Sequence, residues 1–174
     1  MTDSNRLARR ALVPLVAAAA AVVGCAMLAP GGLPPGTSID AARQAFFAPT
    51  GEYRLPGGGT RLEFAQGSFG RQTFMLDFDA NGILTSSTQV LTEAKLGTIA
   101  PGLPAEDVRM QFGRPAHVFS VPWQKLHVWN YRYAGGDCVW FQVSVSDATQ
   151  QVTQAGTGTD PACDGPNDRV GSDR

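Results

Sequence analysis

The chain predicts an α+β fold built twice: two tandem units, each a short helix followed by an antiparallel meander, joined into one sheet that helices cover on one face. Three observations carry this. A pattern of Pro, Gly, an acid, Arg, Phe and Pro occurs twice in register, 66 positions apart. Each copy has the apolar spacing of a short helix. Each is followed by segments that alternate apolar and polar residues, broken by glycine and proline turns, which is how half-buried strands read.

The first copy runs from Pro35 to Pro49 and the second from Pro101 to Pro115. Ile39, Ala42 and Phe46 share one helical face in the first, as do Ala105, Val108 and Phe112 in the second. Thr37 with Asp40 offers a capping pair at the first helix start. Pro104 suits the first helical position of the second, Gly113 its left-handed end, and Pro115 stops it. At the 66-residue offset Phe47 stands where the first copy should have that glycine.

Strands are expected at Glu52–Leu55, Thr60–Ala65, Gln72–Phe78 and Ile83–Val90. Pro56-Gly57-Gly58-Gly59 and Asn81-Gly82 supply turns between them. In the second unit the strands fall at Ala116–Val121, Leu126–Tyr133, Cys138–Val145 and Gln151–Gln154, and Leu91–Ile99 reads as a helical connector. Side chains alternate across a strand. Leu62, Phe64, Phe74, Leu76 and Phe78 therefore face the helices, with Trp129, Tyr131, Val139, Phe141, Val143 and Val145. The opposite face carries Arg61, Glu63, Met75, Asp77, Val128, Asn130, Arg132, Trp140, Gln142 and Ser144. A meander with helices on one side commonly leaves that other face wet.

The N-terminus has a different character. Arg6, Arg9 and Arg10 precede an apolar run from Ala11 to Val23. At 13 residues the run is shorter than the roughly 20 needed to span a bilayer. A basic start, an apolar stretch and small residues form a secretory signal. Its end, Val22-Val23-Gly24-Cys25, resembles the lipobox of bacterial lipoproteins, with valine where leucine is preferred. That resemblance implies cleavage before Cys25 and acylation of its thiol. Ala26, rather than aspartate, implies the outer membrane as destination.

The expected organisation is a signal over 1–24, a Pro/Gly tether over 25–36, repeats over 37–95 and 96–160, and a polar tail over 161–174. Residues 1–24 take three arginines and one aspartate from the 14 basic and 15 acidic residues, leaving 11 against 14. With no block of like charge, nucleic acid is not an expected partner. If Cys25 is acylated, Cys138 and Cys163 are left as a pair. An exported chain meets an oxidising compartment, where such a pair closes. The tail beyond Cys163, rich in Gly, Asp and Pro, is expected to be disordered.

The segment Gly102-Leu103-Pro104-Ala105-Glu106-Asp107-Val108-Arg109-Met110-Gln111-Phe112-Gly113-Arg114-Pro115 resembles the motif of the BamE family (SmpA/OmlA), small lipoproteins of outer-membrane barrel assembly. The doubled arrangement is similar to β-lactamase-inhibitor-type proteins. The resemblance covers about residues 36–157 and implies a periplasmic protein held on the outer membrane, of protein-binding or scaffolding function. The alternative is an inhibitor-type module acting on a periplasmic enzyme.

No catalytic group stands out. Asp77-Phe78-Asp79-Ala80-Asn81-Gly82 opens like a calcium loop, but Thr88 occupies the position that needs glutamate, so it reads as a turn. His117 and His127 have no neighbouring acid or thiol at ligand spacing. No metal, cofactor or small-molecule substrate is expected. Most of the aromatic set Trp123, Trp129, Tyr131, Tyr133, Trp140 and Phe141 reads as core. The alternation turns Trp140 outward beside Arg132 and Asn130. Trp and Arg are common binding anchors. Trp140, Arg132, Asn130 and Met75 are thus the candidate partner-binding residues.

Overall fold

The structure, a computed structural model, describes residues 29–46, 48–66, 70–133 and 138–160. The signal, Cys25, Cys163 and the polar tail lie outside the described residues.

The chain is mostly β, and the expected α+β arrangement is overturned. Helix α1 (Ile39–Ala45) precedes β1 (Gly51–Arg54), β2 (Thr60–Gln66), β3 (Gln72–Phe78) and β4 (Leu84–Gln89). After α2 (Glu93–Leu96) and α3 (Ala105–Phe112) come β5 (His117–Val121), β6 (Leu126–Arg132), β7 (Val139–Ser146) and β8 (Val152–Thr159). The strands form two separate four-stranded sheets, each in sequence order and antiparallel throughout, not one continuous sheet. Among the described residues the three α-helices have only 7, 4 and 8 residues. At about 1.5 Å per residue such helices are too short to roof a sheet. The connector expected to be helical over Leu91–Ile99 winds for only four residues, because Thr92 caps its start and Gly97 ends it.

The two halves begin alike in their hydrogen bonds. Gly36 N–H donates to Leu84 O at 3.1 Å, Leu84 N–H to Thr37 O at 2.8 Å, and Ile39 N–H to Gly82 O at 2.8 Å. The same three bonds run from Gly102 to Val152, Val152 to Leu103, and Ala105 to Gln150, at 2.8, 2.9 and 2.9 Å. Gly36 and Gly102 have φ of 88° and 89°, which glycine adopts without a Cβ penalty. The Pro-Gly dipeptide recurs because each pre-helix segment must turn to pair with its own unit's last strand. Ser38, not Thr37, caps α1, accepting from Ala41 N–H at 3.2 Å.

One core cluster joins α1 to the first sheet through Ala42, Leu62, Phe64, Leu76, Phe78 and Leu84. The larger cluster joins α3 (Ala105, Val108, Phe112) to Trp129, Tyr131, Phe141, Val143 and Val145 of the second sheet. It also takes in Met75 of β3 and Leu91, Leu96 and Ile99 of the connector. The face of the first sheet expected to be wet is therefore covered by the second unit. Met75 is 2% exposed and Glu63 fully buried.

The polar groups of that face are paired within the first half and, by two further bonds, across the junction. Arg61 grips Asp77 at 2.6 and 2.8 Å and donates to Met110 O, at the end of α3, at 2.8 Å. The Glu63 carboxyl accepts from Tyr53 OH at 2.6 Å, Thr50 OH at 2.8 Å and Arg114 N–H at 3.3 Å. Tyr131 OH donates to Gly113 O at 3.1 Å. Burial, then the bond to Glu63, raises the Tyr53 pKa above the ordinary phenol value. Burial raises that of Tyr131. The hydrogen bond to Asp77 raises that of Arg61.

Gly113 (φ 79°) lies against this carboxyl, and a Cβ there would meet Glu63 Cδ at 2.7 Å. At Gly102 a Cβ would meet nothing within 4 Å. Gly102→Ala should therefore lose only the backbone term, about 1 kcal/mol, and Gly113→Ala clearly more. Urea unfolding of the two variants measures this. Equal losses would mean that Glu63 does not abut α3.

Candidate functional site

The expected binding face is not a free surface. Trp140 is 4% exposed and Asn130 fully buried. Both do lie on the face away from α3, as the alternation requires, but that face is roofed locally. Arg132 sets its guanidinium 5.5 Å from the Trp140 ring centre. Asp160 holds that guanidinium through bonds of 2.5 and 3.0 Å, which raise the Arg132 pKa. Phe119 closes the other side, edge-on at 6.0 Å. Gly158, directly across from Trp140, has no side chain to displace the indole. The Trp140 indole N–H is buried and meets no acceptor among the described residues. Asn130 is covered by Gln142, whose Nε2 donates to its Oδ1 at 2.9 Å. Met75 belongs to the junction core. Of the four residues, only Arg132 keeps partial exposure.

Trp123, one of the aromatic set that mostly reads as core, is 80% exposed. It sits in the 3-10 turn Pro122–Gln124 that follows β5. Four large apolar side chains are exposed among the described residues: Ile83, Val118, Phe119 and Trp123. Three of them fall on β5 and its turn, which places the apolar patch there. Cross-strand pairing puts Val118 beside Trp129 and Phe119 beside Val128, on opposite faces of the sheet. The patch therefore wraps the strand edge rather than lying on one side of it.

Each sheet has two edges; β1 and β4 are guarded, and β8 is guarded at its start. β1 is four residues long with exposed Glu52 and Arg54, and Glu52 pairs with Arg43 of α1 at 2.7 Å. Residues 36–39 bond to the outer side of β4 and its turn, and residues 102–105 do the same at the start of β8. The rest of β8 is Thr, Gln, Ala and Gly. β5 has no charge, no proline and an unbroken register with β6. Pro115 and Pro122 bound it rather than interrupt it. Among the described residues no backbone bond reaches β5 from outside its own sheet. Natural sheets usually protect such edges with charge, proline or bulges. The signal was present in the sequence as His-Val-Phe-Ser-Val, an uncharged run with two large apolar residues. What alternation could not show was that this strand lies outermost.

One histidine, His127, differs from expectation as well. His127 Nδ1 lies 2.5 Å from Asp147 Oδ1, a pair brought together by the β7–β8 turn from twenty positions apart. Ser120 is its cross-strand neighbour, but no hydroxyl or thiol bonds to this pair among the described residues. Asp79 Oδ1 accepts from Asn81 and Ile83 N–H, both at 2.9 Å, so the calcium-like segment forms a turn. Cys138 is disulfide-bonded. Cys163, its expected partner, lies outside the described residues, as does Cys25.

No protein family and no curated protein matches the chain. Among solved structures, one similarity is to a cysteine-rich secretory protein from Staphylococcus aureus, at 12% identity and a TM-score of 0.25. It covers 72% of this chain and 44% of that one, so this chain spans less than half of that protein's length. A likeness that slight carries no argument about fold or function.

The two tryptophans separate core from patch. Trp140→Ala should cost about 3–5 kcal/mol of unfolding stability, and Trp123→Ala no more than about 0.5 kcal/mol. Both are read by urea denaturation. A Trp140→Ala protein as stable as wild type would return that indole to the surface.

Proposed function

We propose that the chain is an envelope lipoprotein, held at the outer membrane by acyl chains on Cys25, that binds a protein partner along β5 and Trp123. The unguarded β5 edge carries the reading. A strand with open backbone groups and apolar side chains on both faces is a template for another polypeptide. The Trp123 ring beside it supplies the kind of large, exposed anchor that dominates binding energies. The address rests on the N-terminal sequence, in which a basic start, a short apolar run and Val22-Val23-Gly24-Cys25 follow in order.

Two measurements test this. The mass of the mature N-terminus should show Cys25 as first residue with two or three acyl chains. An unmodified chain that starts at Met1 would remove the anchor. Affinity capture from detergent-solubilised envelopes should retain a defined partner with wild type and lose it with Trp123→Ala, at an unchanged melting temperature. Barrel-assembly subunits among the captured proteins would place the chain in outer-membrane assembly. A single soluble hydrolase would make it an inhibitor. Capture that ignores Trp123 would sink the β5 reading.

A further inference from the structure

Resting on that docking reading, the structure also assigns the chemistry of the partner: we propose that β5 takes up an extended segment of another protein as an added strand, with acidic residues at the segment's ends. The backbone supports the mode of contact. β5 runs five residues in unbroken register with β6, about 17 Å of open edge. Val118 and Phe119 border that edge on opposite faces. An arriving strand thus meets an apolar neighbour on each side of the sheet, which suits small or apolar side chains along the segment's middle.

Charge supports the ends. From Arg114 to Lys125 the chain contains no acid, and its only two full charges are those end residues. Both are exposed, and neither is paired with a carboxylate among the described residues. The backbone of one acid, Asp147, meets that of Lys125, its N–H donating to Lys125 O at 3.0 Å. Its carboxylate is engaged by His127. A strand laid on β5 therefore has a cation at either end, and acids there complement both. The same arrangement disfavours a second copy of this chain. Antiparallel self-pairing brings the start of one β5 against the end of the other, which sets Arg114 beside the other copy's Lys125. Like charges so placed are destabilising.

The test is a fluorescence-anisotropy titration of the full chain in detergent. Three labelled peptides of roughly nine residues, enough to overlap the edge at about 3.3 Å per residue, alternate valine and threonine. One ends in glutamates, one in lysines, and one has glutamate ends but N-methyl groups on alternate backbone nitrogens. The glutamate-ended peptide should bind about tenfold or more tighter than either of the others, a difference of about 1.4 kcal/mol. Ser120→Lys, which adds a guarding charge to the edge, should weaken it to a similar degree at an unchanged melting temperature. Trp123→Ala serves as a second variant should Ser120→Lys fail to fold.

Equal binding of all three peptides would overturn the proposal, since an apolar patch alone would explain it. So would concentration-dependent dimerisation lost with Ser120→Lys, which would make a second copy the occupant. No binding of the glutamate-ended peptide, with Trp123-dependent capture from envelopes intact, would overturn this inference and leave the docking reading standing. Loss of both would end the two together.

Discussion

A carboxyl group shut away from water holds the molecule's two halves in one arrangement. Glu63 projects from the middle of the first sheet and is fully buried. Moving such a group out of water costs several kcal/mol when ionised, and only complete hydrogen bonding offsets that. Two of its three donors, Thr50 and Tyr53, come from the same half, but the third is the backbone of Arg114, beyond α3. The first half thus carries a polar group that only the second half completes. Arg61 works in the same sense. Two of its bonds go to Asp77, and the third satisfies a carbonyl that the end of α3 leaves open. Met75 lies on the same face, and burying a side chain of that size contributes about 1.5–3 kcal/mol. Neither half separated from the other would keep these groups dry and paired.

That coupling accounts for the departure from the expected architecture. A half-exposed sheet with a helical layer would leave Met75 in solvent with Glu63 and Arg61, where the charged groups raise no difficulty. Covering the same face with the second unit makes the first sheet buried on both sides. Short helices then suffice, because each needs to fill only a narrow strip: Ala42 in one case, Ala105, Val108 and Phe112 in the other.

The strand positions were legible because alternation and turn residues are local properties. Asn81-Gly82 and Pro56 with the triple glycine at 57–59 punctuate the chain where the strands end. Leu62, Leu76, Phe78, Trp129 and Val143 face the cores that their spacing assigns. Alternation gives the side of a sheet, however, and not what lies against that side. Trp140 was assigned to the face it occupies, but its cover comes from Arg132 locked by Asp160, a residue 28 positions along the chain. His127 and Asp147 meet through the β7–β8 turn in the same way. Met75 looked like a surface residue because the surface that buries it belongs to the other half. Each miss is a long-range pairing, which periodicity does not encode.

The two halves also differ where their likeness would lead one to expect agreement. Each sheet begins with an outer strand that has one free side. In the first half that strand is Gly-Glu-Tyr-Arg, short and charged, with Glu52 tied to α1. In the second it is His-Val-Phe-Ser-Val, longer, uncharged and followed at once by an exposed tryptophan. An edge of that second kind invites unwanted pairing with any extended chain, a hazard that protein surfaces usually remove. Stability does not explain its retention: apolar side chains left in water contribute little to folding, and a lysine at Val118 or Ser120 would guard the edge at small cost. The first half shows that this fold accommodates the guarded version. The cations at both ends and the anchor beside it give the unguarded version what a specific contact requires, steering charge and a large apolar surface. The physical argument for binding at β5 is therefore comparative: of two equivalent edges in one molecule, only one has been left open.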